Sequence, residues 1–337
     1  MQIYFAPLQG VTDAPFRRLH AARFGGVAKY FTPFISPTQT DNLTNKELRD
    51  ISPAENPGLP IVPQILTKEV EYFIHTAHVL QNLGWTEVNL NMGCPAGTVT
   101  AKGKGAGMLV NLPRLECFLD GIFARTPLPV SIKMRLGWEQ PEEIFPLLEL
   151  IGRYPVSELI LHARTRQQLY GGSPCVGVLD EAVKGTHIPL IYNGDLFSSA
   201  DLARFTQAHP AFQTVMIGRG LVSDPALAQS VLGGPPLTPE MLWAYHDDLY
   251  RYYTAHFNAR AALGRMRELG KYVAANFHGA GRPFRQIRKA RTLDAYCDAI
   301  KLLFDEYPLR DPPGFVTDGR PAGQAVTDDL RDASLLL

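Results

Sequence analysis

Cysteine is scarce and unpaired in this sequence. Cys94, Cys117, Cys175 and Cys297 are scattered through 337 residues without a CxxC spacing, which argues against a disulfide frame or a zinc site and fits reduced thiols. No apolar run approaches a bilayer crossing, and the first residues, Met1 to Pro7, lack a basic leader or a cleavage site. A cytoplasmic protein without a membrane partner is the expectation. Neither sign of charge is in excess, with 33 Lys+Arg against 33 Asp+Glu, although a balanced total can conceal a local patch. A hydrophobic fraction of 45% and a charged fraction of 20% are those of an ordinary globular chain rather than a disordered one. The length exceeds the usual single core, so two domains are expected.

The rest of the chain is organised around Glu87-Val-Asn-Leu-Asn-Met-Gly-Cys-Pro95. Val88 and Leu90 alternate with polar Glu87, Asn89 and Asn91, which reads as a strand, and Gly93 and Pro95 stop it. Cys94 is thereby delivered to a strand's carboxyl end, where parallel α/β folds assemble their chemistry. The loop that follows, residues 96–107, is glycine-rich and carries Lys102 and Lys104, suited to meeting a phosphate. From these residues alone Cys94 is equally a catalytic thiol or a small packing residue.

Short β-type runs recur at 3–6, 28–31, 60–65, 87–91, 130–134, 158–162, 190–193 and 214–217. Helical patterns lie between them, such as 69–83 and 199–208. An open doubly wound sheet predicts the same alternation, but the count of eight points to a (β/α)8 TIM barrel. Polar residues cluster at the strand ends: Pro7, Leu8 and Gln9 after the first, Gln64 in the third, Lys133 and Arg135 in the fifth, His162 and Arg164 at the sixth. Asn193, Gly194 and Asp195 follow at the seventh, and Gly218, Arg219 and Gly220 at the eighth. Each alone is explained by satisfied loop backbone. Together they occupy the face where barrels build sites, and the Gly-Arg-Gly turn suits an anion.

After Leu232 a Gly/Pro cluster at 233–239 breaks the β rhythm and a run of helices begins. Residues 1–235 are therefore read as the barrel, 236–310 as a small all-α domain and 311–337 as a flexible tail. From Arg251 to Arg291 ten basic residues face the single acid Glu268. A solvated helix face usually mixes signs, so this patch points to a phosphate-backbone partner.

With these elements in place, the chain resembles the tRNA-dihydrouridine synthases, flavoenzymes that reduce uridines in tRNA. The resemblance rests on Ala6-Pro-Leu-Gln-Gly-Val-Thr-Asp13, Asn91-Met-Gly-Cys-Pro95, Lys133-Met-Arg135, His162-Ala-Arg-Thr165, Asn193-Gly-Asp195 and Ile217-Gly-Arg-Gly220. It implies a tightly bound FMN, NADPH as electron donor and tRNA as partner to a monomeric enzyme. Carried across, Pro7, Leu8 and Gln9 line the flavin, Gln64 and Lys133 meet the isoalloxazine, and His162 lies near its ring or phosphate. Asn193, Gly194 and Asp195 hold the ribityl chain, Gly218 and Arg219 the phosphate. Cys94 becomes the general acid, with Asn91 and Arg135 at the uracil carbonyls. Arg265 and Arg267, with Tyr272 and Arg288, resemble the position-16 subfamily and are the expected tRNA contacts.

Two other readings compete on the same residues. An FMN-barrel reductase of a small pyrimidine explains Cys94 but leaves the basic helices without a task. A non-catalytic RNA-binding protein on a barrel scaffold leaves Cys94, Lys133, His162 and Arg219 without one.

Overall fold

The computed structural model describes residues 1–38, 43–311, 313 and 314. They form two compact units, the first made of residues 1–7, 28–194 and 209–216, the second of residues 8–27, 195–208 and those from 217 onward.

The first unit holds a parallel sheet of β1 (Gln2–Phe5), β2 (Lys29–Phe31), β3 (Ile61–Val62), β4 (Gln64–Ile65), β5 (Val88–Met92), β6 (Val130–Arg135), β7 (Val156–His162), β8 (Leu190–Asn193) and β9 (Thr214–Ile217). Their order is β3-β2-β1-β9-β8-β7-β6-β5-β4. The strand expected at 60–65 is broken in two because Pro63 has no N–H for the ladder. Its first half pairs with β2 and its second with β5, so the ends of the sheet are one chain segment and the sheet closes as the expected (β/α)8 barrel. Helices Val70–Asn82, Leu112–Phe123, Ile144–Ile151 and Val176–Lys184 alternate with the strands. The first buries Phe73, Ile74, Ala77 and Leu80, the one-sided spacing that its sequence shows.

An ion cluster reveals which strand face looks inward. Lys29 Nζ lies 2.8 Å from Glu87 and 2.9 Å from Glu158, and Tyr4 donates to Glu158 at 2.8 Å. Since β2, the start of β5 and β7 are not sheet neighbours, these side chains meet only across the barrel interior. Residues two and four beyond Glu87, namely Asn89 and Asn91, share that inward face, while Val88, Leu90 and Met92 turn out to the helix layer.

The second unit is helical, with Ala14–Arg23, Ser199–Ala208, Pro239–His256, Ala259–Ala274, Gly281–Lys289 and Leu293–Glu306 as its longer elements. Asp13, Thr238, Asn258 and Thr292 each accept from a backbone N–H in the first turn of the helix they open, the usual remedy for unpaired amides there. Gly270 allows two of these helices to meet closely, since a Cβ there would lie 2.7 Å from Ile287. Of the segment expected as a tail, nearly all lies outside the described residues; Gly314 donates to Asn276 Oδ1 at 2.7 Å.

Candidate active site

At the carboxyl end of β5 the chain turns sharply, and the turn carrying Cys94 is held at four backbone groups. Asn91 Oδ1 accepts from Gly93 N–H at 3.1 Å and Cys94 N–H at 3.0 Å. Arg135 Nε donates to Gly93 C=O at 3.1 Å, and Ala106 N–H to Cys94 C=O at 3.1 Å. The glycine-rich loop is thus tied back on the cysteine by its own backbone. At Gly105 any Cβ would come 2.8 Å from the Cys94 carbonyl.

Arg135 is 1% exposed, and its Nη1 also donates to the Thr165 and Leu169 carbonyls at 2.7 and 2.6 Å. Leu169 has φ 51°, a left-handed backbone that a leucine adopts only where its surroundings hold it. Arg164 adds bonds to the Gly171 and Gly172 carbonyls, so two buried arginines fix the loop after β7. Asn91 and Arg135, expected at the uracil carbonyls, thus have the backbone of the Cys94 turn and of this loop as their partners.

Lys133, two residues before Arg135 on β6, donates to Asn193 Oδ1 at 2.7 Å, and Asn193 Nδ2 donates to the Met216 carbonyl at 2.8 Å. Ladder register places Arg135, His162 and Asn193 side by side. Burial, reinforced by the Arg135 charge, lowers the Lys133 ammonium to about 7. Burial raises the half-buried Cys94 thiol, although a hydrogen bond from Ala96 and the charges of Arg135 and Lys133 oppose it. A neutral thiol therefore stands beside a lysine that titrates near neutrality. The His162 ring lies 6.0 Å from Tyr170. Gly194 has no room for a side chain, as a Cβ would fall 2.0 Å from Tyr192 Oη.

Gln64 is fully buried. Its Oε1 accepts from Asn91 Nδ2 at 2.7 Å and its Nε2 donates to Asn89 Oδ1 at 2.7 Å; Asn89 Nδ2 in turn donates to Ser131 Oγ at 3.0 Å. Asn89 and Ser131 were not among the expected site residues. The signal was present: two inward amides on a strand buried along its whole length need partners of their own.

After β1, Pro7 and Leu8 are half-buried and Gln9 is exposed; Leu8 C=O accepts from Val11 and Thr12 N–H. In the second unit Arg219 pairs with Asp195 at 2.9 Å and lies over the Phe197 ring at 5.2 Å. Gly218 precedes it, and Gly220 sits so close to the Leu196 carbonyl that a Cβ would overlap it at 2.2 Å. Asp195, Gly218 and Arg219 are thus gathered locally.

The expected tRNA contacts divide. Arg265 pairs with Asp13 at 2.6 Å, and Tyr253 donates to the same carboxylate at 2.6 Å. The guanidinium rests over the Phe257 and Tyr253 rings at 4.6 and 5.3 Å. Tyr272 is buried, and Arg288 is half-buried, 5.6 Å from the Phe284 ring centre. Arg267 is exposed, as are Arg260, Arg282, Arg285, Lys289 and Arg291.

Known proteins similar to this chain identify its family and fold. The family model described as dihydrouridine synthase (Dus) matches residues 4–274. A probable tRNA-dihydrouridine synthase of Rhodobacter capsulatus is 31% identical over 90% of this chain and 95% of its own. A tRNA-dihydrouridine(16) synthase of Vibrio parahaemolyticus is 28% identical over 92% and 98% of the two chains. Among solved structures, a morphinone reductase variant in complex with tetrahydroNAD superposes with a TM-score of 0.51 at 12% identity, covering 71% of this chain and 88% of that one, a likeness of fold. A family match over most of the barrel and beyond, with relatives aligned nearly end to end, shows that the chain belongs to the dihydrouridine synthase family.

Proposed function

We propose that this protein reduces uridines in tRNA to 5,6-dihydrouridine, with Cys94 as the general acid. The observation that carries the reading is a thiol kept neutral by burial on a turn fixed at four backbone groups. When bound, FMN would supply the hydride for C6 of the uracil, with NADPH as its reductant. Cys94 gives its proton to C5 on the opposite ring face, so hydride and proton together saturate the C5–C6 double bond. A thiol protonated at neutral pH suits that step.

The residues present fit the cofactor. Lys133 is a half-buried amine beside Asn193, able to compensate negative charge on a reduced isoalloxazine. Arg219 would offer a guanidinium to the flavin phosphate, and Asp195, its ion-pair partner, would take the ribityl hydroxyls. We place Pro7, Leu8, Gln9, Gln64, His162, Gly194 and Gly218 around the remainder. Residues 236–310 supply the tRNA contacts through the exposed cations of the second unit, Arg267 among them. Relatives named for position 16 and relatives named synthase B are similar to the same degree, so the target uridine is the quantity that mapping supplies. Among the described residues no helix is long and apolar enough to cross a membrane; our reading of the enzyme is monomeric and cytoplasmic.

The test is spectroscopic and then chemical. Purified protein is expected to be yellow, to bleach with NADPH and to regain its absorbance when unmodified tRNA is added. Dihydrouridine should then map by mass spectrometry to one position. Reoxidation by a free pyrimidine but not by tRNA would establish the small-molecule reductase in its place.

A further inference from the structure

The amides inside the barrel form a directional chain. Ser131 Oγ accepts from Asn89 Nδ2, Asn89 Oδ1 from Gln64 Nε2, and Gln64 Oε1 from Asn91 Nδ2. Asn91 therefore faces the turn with its oxygen, which accepts from both Gly93 and Cys94 N–H. All four residues are buried, Gln64, Asn89 and Ser131 completely.

An amide can be turned over at little steric cost, exchanging its oxygen for its NH2. Flipping Gln64 or Asn91 would set donor against donor at one end and acceptor against acceptor at the other, and flipping Asn89 would set its NH2 against that of Gln64. For Asn91 the flip would aim an NH2 group at two N–H donors. The orientation of Asn91, and with it the path of the turn, is therefore tied through Gln64 and Asn89 to Ser131, whose hydroxyl donates to the Val88 carbonyl at 3.5 Å and so accepts from Asn89. All four side chains are shielded from bulk solvent, so a broken link leaves a buried polar group unsatisfied.

We propose that Asn89 and Ser131 are positioning residues for the Cys94 acid, acting through Gln64 and Asn91. The proposal rests on the reading of Cys94 as proton donor. A proton transferred to one ring carbon needs its donor at hydrogen-bond range and correctly aimed. Each residue in the chain acts only on the orientation of the next, and Asn89 and Ser131 need touch neither flavin nor uridine.

The test compares Ser131→Ala, Ser131→Thr and Asn89→Leu, each with its flavin. In Ser131→Ala and Asn89→Leu, dihydrouridine formation is expected to slow by roughly 10- to 100-fold. Flavin content, flavin reduction by NADPH and the KM for tRNA should stay at wild-type values. Ser131→Thr keeps the hydroxyl and should keep turnover. Adding Asn89→Leu to Asn91→Ala should slow turnover no further than Asn91→Ala alone, since both break the same chain.

Hydrogen exchange gives a readout that does not depend on the reaction. Exchange at the Gly93 and Cys94 amides should rise in Ser131→Ala while the amides of β6 and β7 remain protected, which a general loss of stability would not produce. If Asn89→Leu does not fold, the serine pair alone decides. Unchanged exchange at the two amides in Ser131→Ala overturns the proposal. Should the wild-type protein fail to reduce tRNA, the function is misread, and the exchange result still shows whether the chain holds the turn.

Discussion

Cys94→Ala, purified with its flavin, is expected to accept electrons from NADPH as fast as the wild type and to form dihydrouridine more slowly by a factor on the order of 10²–10⁴. The hydride half of the reaction does not need the thiol; the proton half does. Cys94→Ser should be nearly as slow, because an alcohol gives up its proton far less readily than a thiol. The pH profile has a definite sign. Burial raises the thiol above its usual range, so the proton is in place throughout neutral pH, and turnover should decline only as pH rises through the raised value. If Cys94 merely packs, the alanine variant would lose some stability and keep its turnover per folded, flavin-loaded molecule. Single-turnover mixing of reduced enzyme with tRNA separates the two, and near wild-type product formation by the alanine variant would remove Cys94 from the mechanism.

Arg265→Ala should lose stability on the order of 3 kcal/mol in denaturant unfolding, with little change in tRNA affinity per folded molecule. Its guanidinium is the partner of Asp13, a carboxylate that also caps the helix Ala14–Arg23 and accepts from Tyr253. Truncation takes the Arg265 charge away from that buried carboxylate. Arg267 is two residues on along the same helix but exposed, so Arg267→Ala should show the opposite behaviour: an unaltered unfolding midpoint, weaker tRNA binding, and a log–log salt slope reduced by roughly 0.7–0.9. Neighbouring arginines thus serve different ends, and a normal midpoint with a reduced slope for Arg265→Ala would show that it, too, meets the RNA.

The contrast between these two arginines shows where the sequence is informative. Strand periodicity with a count of eight was enough to read the barrel, and the strand-end motifs brought Cys94, Lys133, His162 and Asn193 to one end of it. Those features are local, repeated every two residues or once per strand. What could not be read was partnership at long sequence separation. Arg265 finds Asp13 across 252 positions, and no spacing rule distinguishes it from Arg267 two residues on. Pro63 shows a smaller miss of the same kind: a proline in a strand was visible, but the ladder switches partners there, from β2 to β5. Asn89 read as the polar beat of a strand, because alternation reports a face and not what that face meets.

Lys133 carries a consequence for the proton inventory of the whole protein. An unfolded chain keeps this ammonium charged up to its ordinary 10.5, whereas the folded site releases the proton near 7. Between those values the unfolded state binds more protons, so folding is accompanied by proton release and this residue's contribution to stability improves as pH rises through the window. Below about 7 the charge is retained in both states and its burial opposes folding in full. Any anion that settles against the amine reverses the balance by restoring the proton. Binding of such a ligand above neutrality must then consume hydrogen ions from solution, and its affinity must fall as the medium becomes more alkaline.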